Sequence, residues 1–466
     1  MTEFITLPYW LFLLLVGASF ILVLQHLFIP CLRWYYHKRL RSLLGIINTK
    51  LSIEIKPFQL TRRTVLIDRL LFDKEVIATT KEYAVTKNIS IEMAQFSAKK
   101  YVQEIVPSFN AYAYFRIGYW IAKKIVHLLY RVRVNFKDTN HLATVDPKAT
   151  VVFIMNHRSN MDYILVSFLV AERTVLSYAV GEWARIWPLQ TLIKAMGAFF
   201  VRRNSNDPLY RKVLERYVYM STQEGVCQAV FLEGGLSRDG KLREPKFGYL
   251  NYIVRYFHSQ QSRDVVFIPV GINYDRTLED RSLLRSLESN VNKRPFIYVL
   301  KTAFVFVSKN IYLMLRNRFK RLGFACVNFG HPISLREMAQ AFPGELCDMD
   351  KAERMSQVEK LAKQLMIKIS QLVPALPIPL VCAVLVKCPQ DHIDALDLYA
   401  QTHALINSLE QQGYWIAIPP NIRIITIQNA VEMLKIRHFI AEEDGHYYIS
   451  ESQKNLLQYY ANSLPH

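Results

Sequence analysis

Cysteine patterns that build zinc sites or disulfide frameworks are absent from this chain of 466 residues. Its six cysteines include no Cys-x-x-Cys pair and are not accompanied by a cluster of histidines. Structural zinc needs such closely spaced ligands, and disulfide frameworks are typical of short secreted proteins. We therefore expect reduced, mostly buried thiols in a reducing compartment, and we expect no metal site.

The glycine-rich loops that bind nucleotides are also absent. No Gly-x-Gly-x-x-Gly follows a candidate strand, so the sequence does not support a dinucleotide site. Gly235–Lys241 fits the first seven positions of a phosphate-binding P-loop, but Leu242 stands where a serine or threonine would bind magnesium. Pro245 follows before a helix could extend far. We therefore exclude a P-loop at this position.

Charge is absent from Phe4 to Leu32, a run of 29 residues without Asp, Glu, Lys or Arg. A membrane-spanning helix needs about 20 apolar residues. Basic residues follow the run at once, whereas only Glu3 precedes it, and this asymmetry places the C-terminal side in the cytoplasm. Because no small-residue cleavage site follows, residues 1–44 are predicted to be a retained anchor in the inner (plasma) membrane with a basic juxtamembrane segment. A buried core helix is the alternative.

Positive charge dominates the rest of the composition, with 58 Lys and Arg against 39 Asp and Glu, a net charge of +19. Such a balance favours polyanionic partners. The chain is rich in apolar and aromatic residues, and eight Lys or Arg between Arg33 and Arg63 are interleaved with aromatics and leucines. This pattern favours anionic membrane lipids, with a solvated basic face as the alternative. We expect no nucleic-acid partner.

Three regions are predicted after the anchor. Residues 45–135 repeat apolar positions at helical spacing without strand signals, which predicts a helical N-terminal region. Residues 136–375 alternate strands with helices, which predicts an α/β domain whose mainly parallel sheet is flanked by helices. Residues 376–466 are predicted to be mainly helical, with a β turn at Asp444–Gly445, and could form a small helical or winged-helix-like lid. The candidate strands are Thr150–Met155, Leu176–Val180, Ala198–Val201, Cys227–Leu232, Val265–Val270 and Phe324–Phe329.

A histidine and an aspartate follow the first of these strands. His157 comes directly after Thr150–Met155, and Asp162 lies at the start of a predicted helix whose N-cap is Ser159 or Asn160. Open α/β sheets place ligands at the carboxyl ends of their strands. A spacing of five does not put two residues on one helical face, so the pair meets only if His157 lies in the loop before the helix. Alone, such a pair is common in proteins.

Two further segments also end predicted strands. Gly197–Arg203 is apolar and ends in Arg202 and Arg203, whose guanidinium groups match phosphate oxygens, although exposed strand-end arginines are an equal alternative. Val266–Asp275 contains Pro269, which predicts an edge strand or a bulge. This proline could line an acyl channel, and simple core packing is the alternative.

The segment Phe231–Arg238 combines an apolar strand with a glycine pair. Gly234 and its neighbour allow a tight turn and a close approach of the main chain to an anion. Glu233 is a candidate partner for an arginine or a substrate hydroxyl, and Arg238 for a phosphate.

These four segments follow one another along the chain as the first (157–162), the second (197–203), the third (231–238) and the fourth (267–275). In this order they resemble the glycerolipid acyltransferase family, and within it the membrane-bound glycerol-3-phosphate acyltransferases. The details that carry the resemblance are Asn-His-Arg-Ser-Asn-Met-Asp-Tyr at 156–163, Gly-Ala-Phe-Phe-Val-Arg-Arg at 197–203, Glu-Gly-Gly at 233–235 and Pro-Lys-Phe-Gly at 245–248. Flanking segments at 104–110, 329–335 and 457–463 also match. The resemblance covers about 100–466 and is densest at 150–275.

The resemblance implies a fold and a division of labour among the residues. It implies an α/β acyltransferase domain in which His157 is the general base and Asp162 orients it. The acyl group would pass from acyl-CoA or acyl carrier protein to glycerol 3-phosphate without a metal, a cofactor or a covalent enzyme intermediate. The residues assigned to the glycerol phosphate are Arg202, Arg203, Glu233, Gly234, Ser237, Arg238 and Lys246. Phe200 and Pro269 are assigned to the acyl donor.

One position departs from the family pattern. The third segment often reads Glu-Gly-x-Arg-Ser-Arg in the family, and Leu236 stands where the arginine would be. One phosphate contact is then missing, and Arg202, Arg238 or Lys241 are candidates to replace it. Alternative functions are acylation of lysophosphatidate or dihydroxyacetone phosphate by the same residues, or a non-catalytic membrane scaffold with the same fold.

Overall fold

The structure, a computed structural model, describes residues 8–9, 19, 57–136, 145–171, 174–181, 189–202, 205–287, 321–389 and 391–465. The chain divides into two compact units, Met1–Glu54 and Ile55–His466. Apart from three positions, the predicted anchor lies outside the described residues. Within the described ranges, no helix has the length and apolar character that a membrane span requires. The predicted subdivision of 55–466 stays a prediction.

Helices dominate the described residues before position 130, as predicted. They are α1 (Pro57–Leu60), α2 (Arg63–Leu71), α3 (Lys74–Lys87), α4 (Ile91–Ile105) and α5 (Tyr119–Leu129), with a π-helical turn at Ala113–Gly118 before α5. Polar side chains start two of them: Asp73 accepts hydrogen bonds from two main-chain N–H groups of α3, and Ser90 accepts one from Met93 of α4.

The predicted absence of strands before position 135 is wrong. Arg131–Phe136 forms β1, which runs parallel to the strand Phe324–Phe329 and pairs with it residue for residue. The segment Arg-Val-Arg-Val-Asn-Phe alternates polar and apolar residues, which is a strand pattern. The strand was not predicted because a single residue, Tyr130, separates it from the helix α5.

All six candidate strands are present. The remaining strands of the sheet are β2 (Thr150–Met155), β3 (Ser177–Gly181), β4 (Phe199–Val201), β5 (Gln228–Phe231), β6 (Val265–Tyr274), β7 (Phe324–Phe329) and β8 (Ile333–Ser334). The helices between and after them are α6 (Met161–Val170), α7 (Leu189–Ala195), α8 (Pro208–Gln223), α9 (Phe247–Val254), α10 (Asp280–Arg285), α11 (Leu335–Ala339) and α12 (Lys351–Ser370). The largest difference from the prediction is in β6, which continues past Val270 to Tyr274.

The α/β fold with a mainly parallel sheet is confirmed. Among the described residues, its eight strands follow the order β1-β7-β6-β2-β5-β3-β4, with β8 beside β6. In this described sheet, the pairings of β6 with β7 and with β8 are antiparallel and the others are parallel. Strand β2 lies between β5 and β6 and is parallel to both, so the carboxyl ends of three strands meet at one edge. Every residue of β2 is buried, which explains its continuous apolar sequence.

The sequence predicted an edge strand or a bulge at Pro269, and the edge is wrong because β6 is an interior strand. On one side Pro269 is opposite Ile154 of β2. On the other side, β8 pairs with Val266 and Phe267, and β7 pairs with Val270 to Tyr274. Pro269 lies where the antiparallel partner changes, so its missing N–H interrupts no ladder.

The described residues from 377 onward are mainly helical, as predicted, and they also form a small sheet. They are α13 (Pro377–Lys387), β9 (His392–Asp394), α14 (Ala395–Gln411), α15 (Arg423–Ile436), β10 (Ile440–Glu443), β11 (His446–Ile449) and α16 (Lys454–Ala461), with short 3-10 turns at Pro420–Ile422 and Glu451–Gln453. The strands β10, β11 and β9 form an antiparallel sheet whose turn is at the predicted Asp444–Gly445.

Two large hydrophobic clusters stabilise the fold. One joins β2, β5 and β6 to α2, α4, α8, α9 and α12. The other consists mainly of residues from the C-terminal helices α13 to α16, and Leu236 of the third segment packs against it. The loop after β5 is therefore in contact with the C-terminal region.

Candidate active site

The loop between β2 and α6 is fixed to the neighbouring strand by an asparagine. The side chain of Asn156 donates to the carbonyl of Ile272 at 2.9 Å and accepts from its N–H at 2.8 Å. Asn156 thus continues the pairing of β2 with β6 by one residue through its side chain. This contact fixes the chain immediately before His157.

His157 and Asp162 meet as the sequence predicted. Nδ1 of His157 lies 2.9 Å from Oδ2 of Asp162, and both side chains are buried. His157 is in the loop and Asp162 is in the first turn of α6, which is the arrangement that brings a pair five positions apart together. Since a carboxylate only accepts hydrogen bonds, Nδ1 is the donor, and in the neutral imidazole Nε2 then presents its lone pair.

Nε2 of His157 is buried and has no hydrogen-bond partner among the described residues. The imidazole stacks on Phe231 at 4.0 Å between ring centres, and the ring of Tyr163 meets it edge-on at 5.3 Å. These two rings and the Nδ1 contact fix the direction of Nε2. A buried nitrogen with a free lone pair is suited to take a proton from a substrate hydroxyl.

The carboxylate of Asp162 is held by three further donors. Oδ2 also accepts from the main-chain N–H groups of Arg158 at 2.7 Å and Ser159 at 3.1 Å. Oδ1 accepts from the hydroxyl of Tyr274 at 2.7 Å. Burial raises the pKa of Tyr274 well above its usual value, and the charge of Asp162 raises it further, so the phenol keeps the proton that it donates. Tyr274 was missed by sequence reasoning because β6 was predicted to end earlier.

Glu279 holds the outer part of the loop and was also missed. Its Oε2 accepts from the hydroxyl of Ser159 at 2.7 Å, and Oε1 accepts from the N–H and the side chain of Asn160. Burial raises the pKa of Glu279, and the hydrogen bonds from Ser159 and Asn160 lower it. Asn160 is at the N-cap position, but it is the Ser159 hydroxyl that accepts from Met161 N at 3.1 Å. No local pattern marks Glu279, because it lies 119 positions from Asn160.

Glu233 is bound to the histidine loop, residues 156–160 between β2 and α6. Its Oε1 accepts from the N–H of His157 at 2.8 Å, and its Oε2 accepts from the N–H of Arg243 at 2.9 Å. The side chain is 1% exposed. Burial raises the pKa of Glu233, and the nearby charge of Arg158 and the two N–H groups lower it. Glu233 therefore joins the loops after β2 and β5, and its predicted contact with the substrate stays a prediction.

The other residues predicted in the third segment lie close to Glu233 along the chain. Gly234 has φ of +65°, and a Cβ atom there would lie 2.8 Å from Cγ of Lys246, so this turn requires glycine. Ser237 is buried, donates its N–H to the carbonyl of His157 at 3.0 Å and donates its hydroxyl to the carbonyl of Lys241 at 2.7 Å. Arg238 and Lys246 are exposed, so they are cations available beside the loop.

Arg202 is bound to a carboxylate within the chain. Its Nε and Nη2 donate to the two oxygens of Glu104 at 2.8 and 2.7 Å, and its guanidinium lies over the rings of Tyr101 and Tyr210. The hydrogen bonds to Glu104 raise the pKa of Arg202 above its usual value. The predicted contact of Arg202 with phosphate would compete with Glu104. Arg203 lies outside the described residues.

The two residues assigned to the acyl donor are part of the sheet. Phe200 lies in β4 and is fully buried, and Pro269 lies in β6 between β2 and the antiparallel strands. The structure therefore places them in the core, which for Pro269 was the alternative. Their contact with a donor stays a prediction.

Comparison with known proteins matches both halves of the described fold. Residues 133–273 match the acyltransferase family, and residues 310–466 match the family described as the glycerol-3-phosphate acyltransferase C-terminal region. The first match contains His157, Asp162 and Glu233, and the second contains α13 to α16.

Curated relatives align with most of this chain. The glycerol-3-phosphate acyltransferase of Xanthomonas campestris pv. campestris is 29% identical over 87% of this chain and 46% of its own length. That of Aeromonas hydrophila is 28% identical over 88% of this chain and 50% of its own. That of Haemophilus influenzae is 25% identical over the same two shares. The chain thus spans about half the length of the curated relatives it matches.

A solved structure is also similar. The 1-acyl-sn-glycerophosphate (LPA) acyltransferase PlsC from Thermotoga maritima matches 54% of this chain and 77% of its own, with 16% identity and a TM-score of 0.31.

The two family matches, the aligned relatives and the paired His157 and Asp162 agree with one another. The chain therefore contains an acyltransferase domain followed by a region that matches the C-terminal region of glycerol-3-phosphate acyltransferases.

Proposed function

We propose that this chain is a glycerol-3-phosphate 1-O-acyltransferase, which transfers a fatty acyl group from a thioester to glycerol 3-phosphate and yields lysophosphatidate for phospholipid synthesis. The observation that carries the proposal is the buried Nε2 of His157, which is unpartnered among the described residues while Asp162 holds Nδ1. The aligned relatives suggest the substrate class, because they are named glycerol-3-phosphate acyltransferases.

The reaction needs one proton acceptor and two substrates held together. Nε2 of His157 takes the hydroxyl proton as the oxygen attacks the thioester carbonyl, the C–O bond forms, the C–S bond breaks, and the proton passes to the leaving sulfur. General-base assistance contributes on the order of a hundredfold to ten-thousandfold. Holding both substrates in a reactive geometry contributes up to about 7–11 kcal/mol. Because a thioester is already activated, the sequence of steps requires no covalent enzyme intermediate.

Cations beside the histidine loop suit the phosphate of the acceptor. Arg238 and Lys246 are exposed on the segment that carries Glu233, and Arg243 donates its N–H to that carboxylate. Guanidinium and ammonium groups bind phosphate oxygens through charge-assisted hydrogen bonds. We assign Arg238 and Lys246 to the phosphate, with Arg203 as a further candidate from the sequence.

Membrane association is part of the proposal. The charge-free run at Phe4–Leu32 and the basic residues after it favour an anchor in the inner membrane with the catalytic domain on the cytoplasmic side. Apolar side chains are exposed at the start of α5: Trp120 is 59% exposed, and Ile117, in the turn before the helix, is 44% exposed. Lys123 and Lys124, one turn further along α5, are also exposed. Aromatic and basic residues together favour anionic lipid headgroups. The acyl donor is acyl-CoA or acyl carrier protein.

The test uses the purified full-length chain with radiolabelled glycerol 3-phosphate, lysophosphatidate or dihydroxyacetone phosphate as acceptor and each donor in turn, beside His157→Ala. The proposal expects glycerol 3-phosphate to have the highest kcat/KM and His157→Ala to lose transfer to it. Preference for either other acceptor would contradict the substrate assignment. Absence of thioester-dependent transfer by the wild type with every acceptor and donor would favour the non-catalytic scaffold.

A further inference from the structure

The C-terminal end of the chain touches the loop that carries the proposed phosphate ligands. The side chain of Asn462 donates to the carbonyl of Asp239 at 2.9 Å. Gly240 has φ of +85°, and a Cβ atom at this position would collide with the carbonyl oxygen of Tyr459. The two segments lie 223 positions apart, so this contact is made by the tertiary fold alone. The loop at 237–241 is therefore in contact with the end of α16.

The same loop touches the residues around the general base. The carbonyl of Gly240 accepts a hydrogen bond from Nη1 of Arg158, and the N–H of Ser237 donates to the carbonyl of His157. Arg158 is 2% exposed, so its guanidinium is held in the interior between the histidine loop and the segment that α16 supports. A displacement of Gly240 would therefore shift Arg158, the residue that follows His157.

A second contact of the C-terminal end reaches the aspartate. Asn273 donates through Nδ2 to the carbonyl of Ser463 at 2.9 Å and to that of Pro374 at 3.0 Å. The next residue is Tyr274, whose hydroxyl donates to Asp162. The position of Tyr274 at the end of β6 thus depends on a carbonyl at the end of the chain.

Leu236 belongs to the same contact. It stands where the family pattern often has an arginine, and it packs against the hydrophobic cluster of the C-terminal helices, which includes Leu457, Tyr459 and Tyr460. In this chain the position serves to dock the loop on the C-terminal region.

We propose that the segment Tyr459–Ser463 is a positioning element of the acyltransferase site, which holds the loop of Arg238 for the acceptor phosphate. The inference rests on the proposed function for its kinetic consequence, and the contacts above stand without it. Because Asn462 touches the loop of Arg238, its loss affects the acceptor more than the donor. The segment Tyr459–Ser463, the tail, thereby gives the C-terminal region a role in acceptor binding.

The test compares Asn462→Ala and Asn462→Asp with Asn455→Ala in the full-length chain. The aspartate keeps the shape but cannot donate to Asp239, whereas Asn455 is an exposed asparagine on α16, the helix that ends just before Asn462. A hydrogen bond contributes about 0.5–1.5 kcal/mol, so both Asn462 variants should raise KM for glycerol 3-phosphate roughly three- to tenfold. KM for the acyl donor and the melting temperature should stay near those of Asn455→Ala.

Hydrogen–deuterium exchange of the amides at 236–243 provides a second readout that does not need activity. The proposal expects faster exchange there in both Asn462 variants and unchanged exchange in Asn455→Ala. Exchange and KM equal to those of Asn455→Ala, or equal rises in both KM values with a lower melting temperature, would overturn it. A wild type without acyl transfer would refute the proposed function, and the exchange result would still decide whether the tail holds the loop.

Discussion

The hydroxyl of Tyr274 lies 2.7 Å from Oδ1 of Asp162, the carboxylate oxygen that His157 does not use. The aspartate is therefore held from both sides, by the imidazole and two main-chain N–H groups on Oδ2 and by the phenol on Oδ1. Tyr274 lies at the end of β6, and Asp162 lies in the first turn of α6. This contact joins a strand end to the residue that orients the general base.

Tyr274→Phe is expected to lower kcat with little change in either KM. The variant leaves Oδ1 of Asp162 without its donor, and a hydrogen bond to a charged group contributes about 1.5–3 kcal/mol, part of which appears in the orientation of His157. We expect a loss in kcat of roughly tenfold, measured at saturating substrates. Tyr249→Phe is the matched control, because this partly buried phenol donates to Gln228 in another part of the core. Equal kcat values in the two variants would contradict the role of Tyr274.

Arg202→Lys is expected to reduce stability more than substrate binding. Lysine cannot form the two parallel hydrogen bonds to Glu104, so the free energy of unfolding should fall by about 1–3 kcal/mol. Urea denaturation measures this, with the exposed Arg281→Lys as control. KM for glycerol 3-phosphate should change less than about twofold. A large rise in that KM without a loss of stability would instead support the phosphate contact predicted from the sequence.

Asp275→Asn is expected to change how stability depends on pH. Burial raises the pKa of Asp275 to about 6, although the N–H groups of Ile378 and Phe324 favour its charged form. The folded state then keeps a proton that the unfolded chain has released. The stabilisation from this group is therefore complete below about pH 4 and is lost as the pH rises through about 6.

Urea denaturation of the wild type and Asp275→Asn between pH 4 and pH 7.5 checks this sign. The wild-type free energy of unfolding minus that of the variant should fall by up to about 3 kcal/mol over the range. The exposed Asp68→Asn serves as control, and its difference from the wild type should change much less. A difference for Asp275→Asn that is constant with pH would contradict the raised pKa.

Local signals in the sequence predicted the parts of the site that depend on neighbouring residues. The buried strand β2 reads as a continuous apolar run, and the loop and helix after it place His157 and Asp162 in contact. The glycine pair after β5 predicted a tight turn, which Gly234 provides with a positive φ. In each case the physical cause lies within a few residues of the position.

The missed partners come from distant parts of the chain. Tyr274 is 112 positions from Asp162, and Glu104 is 98 positions from Arg202. Single-sequence periodicity reports burial and element type, and it does not report which side chains of different elements meet. Phosphate binding was therefore assigned to Arg202 from its residue type, whereas the fold supplies it with a carboxylate.

The kcat of His157→Ala, Asp162→Asn and the double variant, measured in one assay of acyl transfer to glycerol 3-phosphate, tests the paired base most directly. Each single variant should lose roughly a hundredfold or more, because alanine removes the base and asparagine no longer fixes its tautomer. Residues that act as a unit are not additive, so the double variant should be about as slow as His157→Ala alone. Wild-type kcat in His157→Ala, or losses that multiply in the double variant, would contradict a general base oriented by Asp162.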